Sequence, residues 1–273
     1  MRQMSLFLAL FPLFGTMAQA KPTQRPARTP EIVAPGPNGI LDRPLARNGV
    51  EGTIKIKKMG QSLFIAELII PGSKASNATT VCNVAMPGLP LTLRPVSNPA
   101  GLVRYQADFK GCPFTLDVLN GAALVSAETC EIQASTCRID PTGLWGPSAT
   151  KIDANETFKR ERDRERAEAA ARSMFSKLLH VIKDPARVRE IARDQANFPE
   201  RRAQICADYD GEQQTGFCST RISEARAFAL SSEFAKAEAE FEATEKEKTA
   251  KRAAAAARKK TAQQKKQAAK RSH

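Results

Sequence analysis

The sequence predicts an α+β protein in which a small antiparallel β sandwich or barrel is followed by a separate helical domain with a basic, partly helical tail. Three observations predict this fold class. Apolar and polar residues alternate through residues 49–150, which is the period of strands with one buried face. Apolar residues recur every three or four positions through residues 153–245, which is the period of an amphipathic helix. Residues 246–273 lack large apolar side chains and are rich in Lys and Arg.

The β region shows its alternation in three short segments, GTIKIKK, VRYQADF and FTLDVL. The breaks between such segments are turn signals at Met59-Gly60, Lys110-Gly111 and Asn120-Gly121. Asn-Gly suits a tight hairpin because both residues tolerate positive φ angles. About 100 residues with roughly six to eight short strands make a small sandwich or barrel.

The helical region contains recognisable start and stop signals. Asp184-Pro185 places an N-cap before a proline at the first helical position. We expect that helix to stop before Pro199, a short third helix to hold Cys206, and a fourth to begin near Phe217. The tail that follows is built from strong helix formers without an apolar face, so we expect a helix that frays.

The N-terminal region has the pattern of an export signal. Residues 1–20, MRQMSLFLALFPLFGTMAQA, combine a basic residue, an apolar run and a small-x-small ending, which predicts a signal peptide cut after Ala20. Residues 21–48 hold six prolines and are predicted to be a disordered linker. The predicted location is the periplasm or the medium, with a bacterial source preferred, and no transmembrane span is predicted.

The cysteine count agrees with export, because an even number in an oxidising compartment predicts disulfides. Cys206 and Cys218 are predicted to join two helices across their turn. Four cysteines remain in the β region and allow three connectivities. The favoured pairing is Cys82–Cys112 with Cys130–Cys137, and the alternative is Cys112–Cys130 with Cys82–Cys137.

The formal charge of +13 is concentrated in the tail. Residues 246–273 carry eleven basic residues and one acid, whereas the rest of the chain has a net charge of only +3. Such a tail binds polyanions, but no aromatic residue follows Phe241 to stack on bases, so no specific nucleic acid is predicted. The expected partner is an anionic envelope surface or an exported protein. The residues predicted to contact that surface are Lys251, Arg252, Arg258, Lys259, Lys260, Lys265, Lys266, Lys270 and Arg271.

Patterns of catalytic residues are scarce. The two histidines, His180 and His273, lack the companions of a triad or a zinc site, and no phosphate loop occurs, so we predict no cofactor and no metal. Asp108, Asp117 and Glu128 keep a carboxylate-dependent envelope enzyme open as an alternative. Our main prediction is a non-enzymatic protein.

The only tryptophan, Trp145, lies in the segment GLWGP. A tryptophan flanked by glycines is a candidate platform on which a ligand could stack. More often such a tryptophan plugs the end of the β core, which is the interpretation that we favour.

The segment Cys206–Phe234, CADYDGEQQTGFCSTRISEARAFALSSEF, resembles the helical modules of exported lysozyme inhibitors of the LprI type. The shared features are two cysteines followed by an alanine-rich amphipathic helix. The β region resembles uncharacterised exported bacterial proteins. The LprI-type resemblance implies inhibition of a lysozyme-like hydrolase as an alternative function. The main prediction is an exported binding or envelope-interaction protein whose basic tail contacts anionic surfaces.

Overall fold

The structure, a computed structural model, describes residues 34–86 and 90–271. Its first half is built from eleven strands. These are β1 (Pro44–Arg47), β2 (Glu51–Met59), β3 (Ser62–Lys74), β4 (Asn77–Ala85), β5 (Leu91–Val96), β6 (Arg104–Phe109), β7 (Cys112–Leu119), β8 (Ala122–Ala127), β9 (Cys130–Ile132), β10 (Cys137–Ile139) and β11 (Gly143–Gly146).

Eight of these strands close into an antiparallel barrel. The strands follow one another around the barrel in the order β1, β2, β3, β5, β6, β7, β8 and β11, and β11 pairs with β1 to complete the ring. The alternation predicted from the sequence places Ile54 and Ile56 of β2, and Phe114 and Leu116 of β7, in the interior. An eight-stranded barrel is just wide enough for side chains to fill it. The predicted small antiparallel β fold is therefore confirmed, in the form of a barrel.

The hairpin between β7 and β8 turns at Asn120-Gly121, as the sequence predicts. Leu119 pairs with Ala122, so Asn120 and Gly121 form a two-residue loop. Gly121 has a φ of 71°, in the region that favours glycine.

The remaining strands form an extension on one end of β3. Beyond the barrel, β3 pairs with β4 along one edge and with β10 along the other, and β9 adds to β10. Disulfides Cys82–Cys137 and Cys112–Cys130 attach the β9–β10 hairpin to β4 and β7. Because Ile132 and Ile139 of this hairpin are buried in the barrel cluster, the hairpin extends the barrel core at this end.

The favoured disulfide pairing, Cys82–Cys112 with Cys130–Cys137, is wrong, and the alternative is the one observed. The register of the hairpin gives the reason. Cys130 lies opposite Ile139, and Cys137 lies opposite Ile132, so the two cysteines are at opposite ends of the β9–β10 ladder.

The second half of the chain is helical. It consists of α1 (Thr157–Val181), α2 (Pro185–Cys206), α3 (Glu212–Thr215) and α4 (Phe217–Arg271). The predicted N-cap is confirmed, because the Asp184 carboxylate accepts hydrogen bonds from the backbone N–H groups of Ala186 and Arg187. The expected stop before Pro199 is wrong: α2 continues through Pro199 to Cys206, with Phe198 and Ile205 packed against a buried cluster on either side of it.

Helices α1 and α4 pack through small residues. Their cluster contains Ala167, Ala170, Ala171, Ala227 and Ala237, with larger side chains from the same two helices and from α2. Alanines allow the two backbones to approach closely. An ion-pair group then connects α2 to α4: Asp194 accepts from Arg201 at 2.6 Å and from Arg226 at 2.5 Å.

Asp194 keeps its charge in this group. Burial by itself raises the pKa of the Asp194 carboxyl, but the hydrogen bonds and charges of Arg201 and Arg226 together outweigh that effect. The net result is a pKa below its usual range.

The helices and the barrel share buried contacts. One hydrophobic cluster joins barrel residues Leu119, Ala122 and Leu144 to the helical-region residues Cys206, Tyr209, Phe217, Cys218 and Ile222. The Tyr209 hydroxyl donates to the Pro147 carbonyl at 2.8 Å, and the Tyr209 ring stacks on that of Phe217 with centroids 5.6 Å apart. The predicted separation into an independent helical domain is therefore not observed.

Part of the predicted linker is folded into the barrel. Ile40 and Leu45 are buried in the barrel cluster, and β1 pairs with both β2 and β11. The prediction of disorder is therefore wrong for residues 34–48. Residues 21–33 and the predicted signal peptide, residues 1–20, lie outside the described residues.

One charged residue of the charge-rich segment KRERDRER, residues 159–166, is buried. Arg160 is 5% exposed and donates to the carbonyl of Thr215 at 2.8 Å and to that of Asp153 at 2.6 Å. Thr220 in turn donates to the Arg160 carbonyl. Arg160 therefore ties the start of α1 to the turn that begins α4.

Candidate functional site

A cleft of about 630 Å³ lies where the barrel meets the helices. Its walls come from four segments: the chain entering the barrel, the β7–β8 turn, α1 and α4. The floor is apolar and shallow because alanines from both helices line it. The lining residues are Ala34, Pro35, Gly36, Asn38, Gly39, Leu119, Asn120, Asp163, Arg166, Ala167, Ala170, Arg221, Glu224, Ala225 and Ala227.

The charges in the cleft are balanced. Asp163 and Arg166 form an ion pair on α1, and Arg221 donates to Glu224 at 2.6 Å on α4. The Arg221 guanidinium also lies over the Phe217 ring, 5.1 Å from its centroid. Since each arginine has an acidic partner one turn away, the cleft does not present a field of one sign. Its described lining contains no His, Cys or Ser, and its titratable groups are the carboxylates and guanidinium groups of these two pairs.

Trp145 is not a ligand platform. Its side chain is 0% exposed in the barrel cluster, and its Nε1 donates to the Pro141 carbonyl at 2.8 Å. The less favoured possibility, a stacking surface, is wrong because β11 is a full barrel strand with this residue facing inward. The favoured interpretation, a tryptophan that packs the β core, describes what is observed.

The three carboxylates considered for catalysis lie apart. Asp117 is 7% exposed and accepts from Arg104 through both oxygens, at 2.5 and 2.7 Å, while Asn98 donates to it at 3.0 Å. The Asp117 hydrogen bond raises the pKa of Arg104. Asp108 accepts from the Gly111 N–H in the β6–β7 turn, about 13 Å from Asp117 along the ladder. Glu128 is exposed beyond the end of β8.

All six cysteines are in disulfides, which confirms the predicted framework. The third bridge, Cys206–Cys218, connects the end of α2 to the first turn of α4, as the spacing predicts. His180 is exposed near the end of α1. Within residues 34–86 and 90–271, no group of three or more His, Cys, Asp and Glu side chains is placed to hold a metal ion.

The predicted basic tail is the outer part of one long helix. Helix α4 has 55 residues and is therefore about 80 Å long. Phe241 is partly buried, and every residue from 242 to 266 is exposed. The tail is helical to Arg271, so the backbones of Lys270 and Arg271 lie in the same helix. In the described part of the chain, no helix has the length and apolarity needed to cross a membrane.

Ion pairs occupy only the start of this exposed segment. Lys246 pairs with Glu242, Lys248 with Glu245, and Lys251 with Glu247. Beyond Glu247 the sequence contains no further acid. Six basic residues of this segment have described side chains and no carboxylate partner. They are Arg252, Arg258, Lys259, Lys260, Lys265 and Lys266.

The described part of the chain therefore offers two candidate binding surfaces. One is the cleft with its apolar floor, and the other is the projecting basic helix. The cleft could not be found from sequence because four distant segments build it. The resemblance to lysozyme inhibitors of the LprI type stays a prediction. No family model, no curated protein and no solved structure matches this chain.

Proposed function

We propose that this chain is an exported, non-enzymatic binding protein held at an anionic envelope surface by the outer part of α4. The observation that carries the proposal is the exposed part of α4 over residues 242–266, in which every charged residue beyond Glu247 is basic. The barrel and helices α1–α3 form the body that this helix would hold in place.

The electrostatic argument rests on the six unpaired basic side chains of residues 252–266. Each Lys or Arg close to an anionic lipid surface contributes about 1 kcal/mol, and the effect falls off within a Debye length of about 8 Å. Since these side chains are exposed and no acid lies among them, all of them are available to an anionic partner. Several kcal/mol of attraction are then available at low salt without any apolar contact.

Export is supported by the disulfides and by the N-terminal pattern. Three bridges persist only where the redox environment is oxidising. The predicted cleavage after Ala20 is tested by sequencing the N-terminus of protein recovered from the periplasm and the medium. Recovery of the chain from the cytoplasm with residues 1–20 attached would refute the proposed location.

The attachment is tested with protein that starts at Lys21. We would compare three forms: the full mature chain, a form ending at Glu245, and a reduced-charge form in which the six unpaired basic residues are changed to Gln. The reduced-charge form keeps the helix length because Gln is also a strong helix former.

Co-sedimentation with isolated envelope membranes at about 0.05 M and about 1 M salt is the measurement. The full chain is expected to sediment at low salt and to be released at high salt, because screening weakens exposed charges. The other two forms are expected to stay in the supernatant. Equal sedimentation of all three forms would refute the role of the tail.

A further inference from the structure

The basic residues of the projecting helix are spaced regularly. Lys251-Arg252, Arg258-Lys259 and Lys265-Lys266 form three adjacent pairs that repeat every seven residues. Seven residues of α-helix make nearly two turns and rise about 10.5 Å, and successive heptads drift by only about 20°. The three pairs therefore follow one side of the helix.

The arc that these pairs occupy is narrow. At about 100° per residue, the six side chains fall within roughly 140° of the helix circumference. The opposite side carries Ala250, Ala253, Ala257 and Gln264. Of the basic residues in residues 252–266, only Lys260 lies outside this arc. We call this set of three pairs the basic face.

The basic face is clear of the body. Near this end of the body, the Phe241 ring of α4 lies 5.5 Å from the Nζ of Lys183 in the segment between α1 and α2, and every residue from 242 to 266 is exposed. Lys251 is ten residues, or about 15 Å, further along the helix. Only Lys251 among the six has an acidic partner, Glu247. The face is therefore both sterically accessible and largely uncompensated.

We infer that the partner of the basic face is the flat headgroup layer of an anionic phospholipid bilayer, with the helix lying parallel to it. This inference rests on the proposed function and specifies its partner. All three pairs reach a plane at once because they share one side, and long Lys and Arg stems extend toward it. The helix stays outside the acyl region since residues 250–266 contain no apolar side chain larger than alanine.

The one-sided distribution is what favours a plane over a soluble linear polyanion. A flexible polyanion can wrap a helix, so it gains from basic residues at any angle around the axis. A plane gains only from those on the side facing it. Redistributing the same charges around the helix therefore separates the two kinds of partner.

The test is a redistributed variant of the mature chain made by three neighbour swaps: Arg252→Ala with Ala253→Arg, Arg258→Ala with Ala257→Arg, and Lys265→Gln with Gln264→Lys. Composition and net charge are unchanged, and three of the six basic side chains move to the opposite side. Circular dichroism must show the same helix content as the parent chain, which establishes that only the angular placement differs.

Binding is measured with vesicles of phosphatidylcholine containing about one third phosphatidylglycerol. The best side of the redistributed variant presents four basic side chains, at positions 253, 257, 260 and 264, where the basic face of the parent presents six. The variant should therefore bind roughly 30-fold more weakly, which corresponds to two lost contacts of about 1 kcal/mol each at 1.4 kcal/mol per tenfold. Inorganic polyphosphate serves as the linear probe, and both proteins should bind it equally. Vesicles of phosphatidylcholine alone should bind neither.

The outcomes separate the two proposals. Equal vesicle affinity of the redistributed variant and the parent would overturn the flat-surface inference and leave the attachment proposal standing. A loss of polyphosphate binding without a loss of vesicle binding would point to a linear polymer and also overturn it. Undiminished envelope binding by the form ending at Glu245 would instead refute the attachment itself.

Discussion

Removing each disulfide in turn should destabilise the protein in an order set by the length of chain it closes. The separations are 55 residues for Cys82–Cys137, 18 for Cys112–Cys130 and 12 for Cys206–Cys218. The chain-entropy relation converts these into about 4 kcal/mol for the first and about 3 kcal/mol for each of the others. Double Cys→Ala variants are the appropriate change, because alanine leaves no polar group in sites that are largely buried.

The assay is equilibrium unfolding in urea, followed by circular dichroism, on the body ending at Glu245 to avoid the exposed helix. The Cys82–Cys137 variant should lose the most free energy of unfolding. It should also show the largest rise in the urea m-value, since its unfolded chain is the least constrained. A larger loss from the Cys206–Cys218 variant than from the Cys82–Cys137 variant would refute the reasoning. Native packing, not chain entropy, would then set the order.

Three further predictions follow from individual side chains. Trp145 is the only tryptophan and is fully buried, so its emission should be blue-shifted and resist acrylamide quenching; ready quenching would contradict the barrel placement. Asp194→Asn should lower the free energy of unfolding by up to about 1 kcal/mol at pH 7, because the group is 41% exposed. Folding lowers the pKa of the Asp194 carboxyl. The difference in free energy of unfolding between parent and variant should therefore be complete above the unfolded pKa of about 3.9, and it should vanish as the pH falls through the folded pKa. A difference that grows in acid would contradict the ion pairing. Tyr209→Phe should lower the free energy of unfolding by about 1 kcal/mol, because it leaves the Pro147 carbonyl unpaired. The unfolding transitions followed by tryptophan fluorescence in the barrel and by circular dichroism of the helices should still coincide. Two separated transitions would contradict the shared core.

Local patterns account for what the sequence predicted well. Alternation and Asn-Gly turn chemistry act over a few residues, so the β7–β8 hairpin and the barrel strands followed from them. The same holds for the Asp184 cap and for the helical, basic character of the tail. Those features need no knowledge of distant segments.

Long-range contacts account for what was missed. Proline density predicted disorder up to residue 48, but burial of Ile40 and Leu45 and the pairing of β1 on both edges override that preference. Arg160 stands in a run of surface charges and is buried because Thr215 supplies a carbonyl 55 residues away. The cleft depends on four segments and left no signal in the sequence, whereas the basic face was present in it as a heptad of Lys and Arg pairs.

The pairing of β1 with β11 has a consequence for the order of folding during synthesis and secretion. The ring cannot close until the segment Gly143–Gly146 has emerged, roughly 100 residues after β1. Until then the growing sheet has two open edges, and such edges pair readily with other chains. Protection of the nascent chain by a chaperone is therefore needed most in that interval, and it ends when the last strand meets the first.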